Sequence, residues 1–470
     1  MRFAPLPAMI CCVALPVAAA DWARFRGPNG AGVADESGLP AEFGPNKNVV
    51  WKTSLPKGAS SPVLTRDRIF LTGFEADQLL TFALDRSSGR ILWRRSVTAP
   101  REEKLHNLNN RASATPATDG SNVYVFFGDL GLLSYGPDGW ERWRIPLGPF
   151  TNLHGMAASP LLSGNRLILA CDQDVGSFLI AVDKDTGRLI WKKDRPEVVH
   201  GFSTPVLYQP AGDPLQVIVP GSYQLIAYSV ERGEKLWWTR GLTWQVKSTP
   251  VIHDGVLYFN GWAPGGDPGE QFQLPAFADV LAAADANRDR KLGPTELPKP
   301  WQPTGTWDAV DLDNDGLFDE RDWAFFRARR SAANNLLAVR LGGSGDVTDS
   351  HVLWRFQKSI PDVPSPLVYR GVLYLVKTGG IATSLNPATG EVYKQARLAG
   401  ALEGYYASPV GADGKVYIAG QNGKISVLAA GPRWEVVALN DMGEDTYATP
   451  AIADSRLYVR TVSTLYCFAK

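Results

Sequence analysis

Two stretches of the sequence repeat a pattern of oxygen-bearing side chains that suits a calcium ion. In residues 285–296 and 311–322, Asp or Asn stands at positions 1, 3 and 5, and an acidic residue stands at position 12. Calcium takes about six to eight oxygen ligands at this spacing, and a backbone carbonyl serves at position 7. The predicted metal ligands are Asp285, Asn287, Asp289, Lys291, Glu296, Asp311, Asp313, Asp315, Leu317 and Asp322, with Lys291 and Leu317 contributing carbonyl groups.

Each stretch departs once from the EF-hand pair that it resembles. Arg290 occupies position 6 of the first loop, where glycine usually makes the sharp turn, so we expect backbone strain to weaken that site. Asp322 closes the second loop in place of a longer Glu, so we expect it to bind through one oxygen or to favour a smaller ion such as Mg²⁺. Apolar periodicity predicts short helices over 275–284 and 322–330. The alternative is an acidic surface insertion that binds no metal.

A second group of candidate residues precedes a Ser/Thr-Pro dipeptide that recurs along the chain. These residues are cationic, imidazole, carboxylate and aromatic, a mixture that can bind a small polar ligand. Their use depends on whether the fold brings them to one place. The candidates are Arg111, His154, His200, Trp244, Lys247, Glu403, Tyr405 and Asp445.

The dipeptide marks an eightfold repeat. Its prolines are Pro62, Pro116, Pro160, Pro205, Pro250, Pro366, Pro409 and Pro450. Successive spacings are 54, 44, 45, 45, 116, 43 and 41 residues, and removing one insertion of about 70 residues makes the period regular. Each unit reads as four short strands, with Asp and Gly in the turn between the third and the fourth. The sequence therefore predicts an all-β, eight-bladed propeller.

The ends of the chain and the insertion fit this ring. The last repeat lacks a fourth strand, and residues 48–52 can supply it, so we place the propeller at 48–470. The insertion, 266–333, falls between the second and third strands of blade 5. That connection emerges on the same face as the loops that carry the candidate ligand-binding residues. We expect a lid or rim role for the insertion, or a passive stabilising one.

A tryptophan recurs in the fourth strand as Trp93, Trp143, Trp191, Trp237 and Trp354. Its regular place predicts a wedge packed between neighbouring blades. With the Leu-x-Ala-x-Asp-x-x-Thr-Gly-x-x-x-Trp pattern, the repeat resembles that of pyrroloquinoline quinone (PQQ) dehydrogenases. Non-enzymatic propellers share it, including the outer-membrane assembly lipoprotein. The chain is similar to bacterial exported PQQ-binding-like repeat proteins, and residues 21–28 look like their mature start.

The resemblance implies an eight-bladed quinoprotein-like propeller and leaves two functions open. We favour a non-catalytic scaffold that binds a protein or carbohydrate at the funnel face, because no active-site motif of the dehydrogenases matches. Their vicinal Cys-Cys pair has a counterpart only in Cys11-Cys12, within the predicted signal. The alternative is a PQQ-dependent alcohol or sugar dehydrogenase, in which Arg111, Lys247 and two histidines would hold the quinone carboxylates.

The composition narrows the partners and the compartment. Lys+Arg and Asp+Glu both total 48, which argues against nucleic acid as a partner. Residues 1–20 read as a signal peptide cleaved after Ala20, followed by an N-terminal segment over 21–47. We therefore expect a periplasmic or secreted monomer without a membrane span. Cys171 and Cys467 remain after cleavage and are expected to be buried and unpaired.

Overall fold

The computed structural model describes residues 22–303, 307–400 and 402–470; the predicted signal peptide lies outside these ranges. Eight sheets are present in these ranges, seven with four antiparallel strands and one with five strands. Within each sheet, the strands of one sequence repeat lie side by side in chain order. The predicted all-β, eight-bladed propeller is confirmed.

The strands of the first half of the ring follow the repeats. In chain order they are β1 (Val49–Ser54), β2 (Val63–Leu64), β3 (Arg68–Glu75), β4 (Gln78–Asp85), β5 (Ile91–Thr98), β6 (Ala117–Thr118), β7 (Val123–Phe127), β8 (Gly131–Tyr135), β9 (Glu141–Pro146), β10 (Leu161–Ser163), β11 (Arg166–Cys171), β12 (Phe178–Asp183), β13 (Leu189–Asp194), β14 (Val206–Tyr208), β15 (Gln216–Gly221), β16 (Gln224–Ser229) and β17 (Lys235–Arg240). After β1, each successive set of four forms blades 1 to 4.

The second half contains the remaining blades. Its strands are β18 (Val251–His253), β19 (Val256–Gly261), β20 (Asn335–Arg340), β21 (Gly345–Asp346), β22 (Val352–Phe356), β23 (Leu367–Tyr369), β24 (Val372–Lys377), β25 (Ile381–Leu385), β26 (Val392–Arg397), β27 (Val410–Ala412), β28 (Lys415–Ala419), β29 (Lys424–Ala429), β30 (Glu435–Asp441), β31 (Ala451–Ala453), β32 (Arg456–Arg460) and β33 (Thr464–Phe468). Strand β21, which the sequence did not predict, pairs in parallel with β17 as a fifth strand of blade 4.

The ring closes through blade 8, as predicted. Strand β1 comes from the beginning of the described chain and pairs antiparallel with β33, from its end. The sheet order β1-β33-β32-β31 therefore joins both ends in one blade. Such closure holds the first and last repeats together.

The recurring tryptophans pack between neighbouring blades, which also matches the prediction. The Nε1 atom of Trp93 in blade 1 donates a hydrogen bond to the Pro137 carbonyl of blade 2, at 2.8 Å. Trp143 makes the equivalent 2.9 Å bond to Lys184 of blade 3. Gly187 in the same turn has a φ of +73°, and a Cβ there would lie 2.9 Å from the Trp143 ring. The turn glycine is thus required both by its backbone and by the ring.

The Ser/Thr-Pro dipeptides form a ring of hydrogen bonds around the propeller axis. The Ser61 amide donates to the Thr115 hydroxyl oxygen at 2.9 Å, and the Thr115 amide donates to that of Ser159 at 3.0 Å. The same bond joins seven of the eight blade junctions in the described chain. At the eighth, between blades 4 and 5, the buried Thr249 hydroxyl has no hydrogen-bond partner among the described residues.

The segment before β1 crosses the inner ends of the blades. The Trp22 carbonyl accepts a bond from Leu64 of blade 1, Asn29 exchanges two bonds with Leu207 of blade 4, and Gly32 accepts one from Gly411 of blade 7. These partners lie at the far ends of the innermost strands. We call residues 22–33 the plug, because they close one end of the central channel.

The insertion of blade 5 lies between β19 and β20 and is mostly irregular. It contains α1 (Phe277–Ala284) and α2 (Glu320–Ser331), and two short 3₁₀ turns, Lys299–Trp301 and Trp307–Ala309. Helix α2 begins earlier than predicted because Asp319 and Asp322 form a capping box at its N-terminus. A one-turn helix, α3 (Thr348–His351), follows β21. None of the helices in the described ranges has the length and apolar character needed to cross a membrane.

Candidate functional site

A cavity of about 370 Å³ lies on the propeller axis, on the face opposite the plug's strand contacts. Its wall follows a simple rule of register. In every blade, the residue two positions before the Ser/Thr of the Ser/Thr-Pro dipeptide lines it. These residues are Ala59, Ser113, Ala157, Phe202, Lys247, Val363, Tyr406 and Tyr447. Phe25 of the plug also lines the cavity and forms its floor.

The wall is uneven around the ring. Blades 1 to 3 contribute small side chains at the lining position, whereas blades 4 to 8 contribute larger ones. The long connection between β5 and β6 extends over the side with small residues and brings His106, Leu108 and Asn109 to the wall. Trp262 and Pro264, at the start of the insertion, complete another part of it. The ring and its two longest loops therefore build one asymmetric site.

A chain of polar contacts crosses this wall. Lys247 Nζ lies 2.5 Å from the Asp362 carboxylate and 2.7 Å from Gln245 Oε1. Because Gln245 Oε1 accepts from the lysine, its Nε2 group faces His154, whose Nε2 lies 2.6 Å away. The lysine charge is thus compensated by Asp362, and it fixes the orientation of the glutamine amide.

His154 is neutral in this setting. Burial, with Lys247 nearby, lowers the pKa of His154 from 6.5 to about 3. Since the glutamine amide donates to Nε2, the proton of the neutral ring lies on Nδ1. This Nδ1 atom is buried and has no partner within the described chain. The Nδ1 donor is therefore enclosed by protein and unused.

Only part of the predicted set of funnel residues lines the cavity. His154 and Lys247 do so. Arg111 instead forms ion pairs with Glu102, at 2.8 Å, and with Asp129, at 3.5 Å. Glu403 and Asp445 are exposed outside the cavity lining.

Tyr405 illustrates why several positions were misplaced. It is 2% exposed and packs in the hydrophobic core with Val416 and Trp434, while its neighbour Tyr406 lines the cavity. Successive side chains of an extended segment point in opposite directions. The Tyr405 side chain, three positions before Ser408, therefore faces away from the axis, whereas the position two before the Ser/Thr lines the cavity in every blade. The repeat register contained this signal, and it would also have identified Tyr447 and Phe202.

His200 and Trp244 lie beneath the insertion rather than in the cavity. The His200 ring packs edge-on against Trp244 and Phe325, and its Nδ1 lies 2.6 Å from Asp174 Oδ1. The Arg329 guanidinium lies 4.1 Å from the Trp244 ring centroid. These propeller residues thus form the surface on which α2 packs.

The hydrophobic core of the insertion continues into the propeller. Val280, Leu292, Phe318 and Trp323 belong to one buried cluster together with Val199 and Trp244 of blades 3 and 4. The Tyr223 hydroxyl donates to the Phe325 carbonyl at 3.1 Å, and Arg321 donates to the Asp174 carbonyl at the same distance. The inserted segment is therefore packed onto the rim that surrounds the cavity.

The two acidic loops lie side by side in the insertion. Leu292 and Phe318, at position 8 of each loop, exchange backbone hydrogen bonds of 3.0 and 2.9 Å. In the second loop, Asp311, Asp313 and Asp315 each place a carboxylate oxygen within 4.8 Å of the others. Gly316 at position 6 has a φ of +86°, so the sharp turn is unstrained. Both oxygens of Asp322 accept backbone amides, from Leu312 and Asp319.

The first loop has the same turn with a less suitable residue. Arg290 at position 6 adopts a φ of +68°, a left-handed conformation that costs a non-glycine residue free energy. Glu296 at position 12 reaches back and accepts the amides of Ala286, Asn287 and Gly293. The Lys291 ammonium forms an ion pair with Asp315 of the second loop. Of the two loops, the second therefore presents the better-formed carboxylate group.

The closed ring, the axial hydroxyl bonds and the tryptophan wedges define the class of PQQ-like β-propellers. A protein-family model described as "Outer membrane protein assembly factor BamB" matches residues 44–175, 175–273 and 330–470. This chain belongs to that family. The matched ranges stop at 273 and resume at 330, on the two sides of the acidic loops.

Curated relatives point to two kinds of protein. The outer membrane protein assembly factor BamB of Burkholderia pseudomallei is 24% identical over 308 residues, 63% of this chain and 70% of that protein. A 1-butanol dehydrogenase (quinone) of Thauera butanivorans is 25% identical over 57% of this chain and 44% of that protein. The match to BamB of Francisella salina spans 19% of that relative.

Solved structures share the fold. BamB from Moraxella catarrhalis aligns with a TM-score of 0.54 and 12% identity, over 89% of this chain and 98% of that one. A europium-containing methanol dehydrogenase aligns with a TM-score of 0.59 and 10% identity, over 96% and 98%. At such identities the likeness concerns architecture alone.

The cavity does not fit PQQ. The quinone carries three carboxylates, which call for several cations. Lys247 is the one lysine or arginine among the described lining residues, and Asp362 compensates its charge. His154 is neutral, and Arg111 is paired outside the cavity. The charge needed to hold the quinone is therefore absent from this wall.

Proposed function

We propose that this protein is an exported, calcium-binding propeller that acts as a scaffold and binds a ligand in its axial cavity without quinone chemistry. The observation that carries this proposal is the charge-compensated cavity, closed at its floor by Phe25 and lined by all eight blades. A site of this volume, with few polar groups among apolar ones, is typical of small-ligand binding. The ligand is a small molecule or an exposed group of a protein or carbohydrate partner.

The calcium part of the proposal assigns the two acidic loops to an EF-hand pair. It is supported by the ligand spacing in both loops, by their backbone pairing at position 8 and by the three convergent carboxylates of the second loop. Calcium neutralises the repulsion among these carboxylates and fixes the start of α2. Since α2 packs on Trp244 and His200, the metal stabilises the rim of the cavity.

The compartment and partners follow from the sequence and the family. The signal-like segment 1–20 and the family description, which concerns the outer membrane, both support export to the periplasm or beyond. The propeller is proposed to act as a monomer, with the cavity face available to its partner. The domain limits remain those proposed from the sequence, with the insertion at 266–333.

Calorimetric titration of the mature protein with Ca²⁺ tests the metal assignment. We expect a tighter site that Asp311→Ala abolishes and a weaker one that Asp285→Ala abolishes. Arg290→Gly strengthens the weaker site by roughly fivefold, because glycine adopts the left-handed turn without the cost of about 1 kcal/mol. Asp279→Ala, which removes an exposed carboxylate of α1 outside both loops, is the matched control and leaves both sites intact. Absence of binding heat, or binding that survives both loop variants, refutes the EF-hand assignment.

A further inference from the structure

The axial cavity has aromatic walls on several sides. Phe25 forms the floor, Phe202 and Trp262 line the wall, and Tyr406 and Tyr447 lie together, with ring centroids 5.5 Å apart and planes inclined by 34°. Flat aromatic faces bind flat apolar faces of a ligand, and they do so with little loss of conformational entropy. The ligand is therefore expected to present apolar faces of ring size.

The same cavity also has unused hydrogen-bonding groups around its edge. The Lys247 ammonium has three donors, of which Asp362 and Gln245 take two. The axial hydroxyls of Ser61, Thr115 and Ser159 accept backbone amides and keep their own hydrogen atoms to donate. These groups of the lining residues can bond to a polar ligand or to ordered water in the cavity.

The charge of the cavity selects against ions. An anionic ligand would approach the Asp362 carboxylate, and a cationic ligand would approach the Lys247 ammonium, at the ends of one 2.5 Å ion pair. Breaking this pair to bind either ion would leave the other charge poorly compensated. A neutral ligand can accept from Lys247 and donate to Asp362 without disturbing the pair.

We propose that the axial cavity binds a neutral saccharide, as one or two sugar rings at the end of a glycan. A sugar ring has apolar C–H faces for the tyrosines and tryptophan, and hydroxyl groups at its rim for the unused polar atoms. The cavity volume of about 370 Å³ accommodates one to two such rings. This inference rests on the proposed ligand-binding function of the cavity and names its ligand class.

Saturation-transfer NMR with the calcium-loaded mature protein tests this inference. The probes are glucose, galactose, mannose, N-acetylglucosamine, cellobiose, maltose and lactose, with glucuronate and glucosamine as charged counterparts. Because stacking depends on ring faces that all sugars share, at least one neutral probe should bind. Glucuronate and glucosamine should bind at least threefold more weakly than this probe.

Two cavity variants locate the binding, one of a tryptophan and one of a tyrosine. Trp262→Ala should weaken it at least tenfold, and Tyr447→Ala should do the same from another side of the wall. Trp140→Ala, which removes a 78% exposed indole from a turn of blade 2 outside the cavity, should bind like the wild type. Circular dichroism confirms that each variant is folded.

The outcomes separate this inference from the function on which it rests. If no neutral sugar binds but the uncharged peptide N-acetyl-triglycine amide does, and Trp262→Ala abolishes that binding, the saccharide inference is wrong and the ligand-binding cavity stands. If sugars bind equally to wild type and to both cavity variants, the saccharide inference is wrong because the site lies elsewhere. If none of the probes binds, both statements are contradicted.

Discussion

At the scale of single residues, the Ser/Thr-Pro hydroxyl is the feature that holds the blades together at the axis. Its oxygen accepts the backbone amide of the preceding blade at seven junctions of the described chain. The sequence showed the recurrence of these residues but not their purpose, because the bond joins residues that are about one repeat apart. Only the closed ring brings them within hydrogen-bond distance.

The two threonines Thr115 and Thr249 test this role. Thr115→Val removes the acceptor of the buried Ser61 amide, so the free energy of unfolding should fall by about 1–3 kcal/mol. Thr249→Val removes a buried hydroxyl that has no partner in the described chain, so it should change stability by less than about 0.5 kcal/mol. Urea denaturation of both variants measures the difference. Equal losses would contradict the assigned role of the hydroxyl ring.

His154 should make the free energy of unfolding depend on pH. Burial beside Lys247 lowers its pKa to about 3, whereas the unfolded chain titrates near 6.5. Between these values the unfolded state binds more protons, so stability falls as pH decreases through this window. Between pH 7 and pH 4.5, the free energy of unfolding should fall by about 1 kcal/mol less in His154→Gln than in the wild type. This figure allows for partial screening of the imidazole by solvent. Identical pH profiles for wild type and variant would show that the imidazole is not desolvated.

The register of the cavity wall shows what sequence reasoning achieved at this scale. Repeat spacing located the correct loops, and two of the eight predicted residues line the cavity. The others were chosen for their chemistry, and the structure places them elsewhere: in ion pairs, beneath α2, in the core or in exposed loops. Tyr405 was selected where Tyr406 faces the axis, because both are tyrosines near the dipeptide and only strand geometry distinguishes them.

At the scale of elements, α2 connects the acidic loops to the propeller. Asp322 belongs to the capping box at the start of this helix, and Phe325 packs against His200, Tyr223 and Trp244 about one turn later. The sequence predicted a helix here from its aromatic residues and placed His200 and Trp244 at a ligand site. Their actual partner is the helix, which no local pattern could indicate because the contact is made between distant segments.

Phe325→Ala tests this docking. It removes a ring that is 6% exposed, so we expect the packing of α2 to weaken by about 3–5 kcal/mol and hydrogen exchange to increase through the insertion. Exchange in the strands of blades 1, 2 and 8 should not change. Leu402→Ala removes a 73% exposed side chain outside the insertion and should leave exchange in α2 as in the wild type. Unchanged exchange in the Phe325 variant would mean that α2 does not depend on this contact.

At the scale of the whole molecule, the sequence predicted the ring and its closure but not the plug. Strand count, period and the missing fourth strand of the last repeat were all local observations, and β1 pairs with β33 as they required. The plug has no repeat and few regular elements, so its path across blades 1, 4 and 7 could not be predicted. It matters for the candidate site, because Phe25 of the plug lines the axial cavity.

The fold alone does not decide between a scaffold and a quinone enzyme, since both kinds of protein share it. The decision depends on the charge of the axial cavity, where Lys247 is compensated by Asp362. Our central claim is therefore that this cavity accepts a neutral ligand and rejects a tricarboxylate.

Calorimetric titration of the mature protein with PQQ, once in calcium and once in a chelator, tests this claim most directly. We predict no binding heat for the quinone in either buffer, while Ca²⁺ added to the chelator-treated and desalted protein gives a clear binding signal. One-to-one PQQ binding that Lys247→Ala abolishes would contradict the claim and identify the axial cavity as a quinone site.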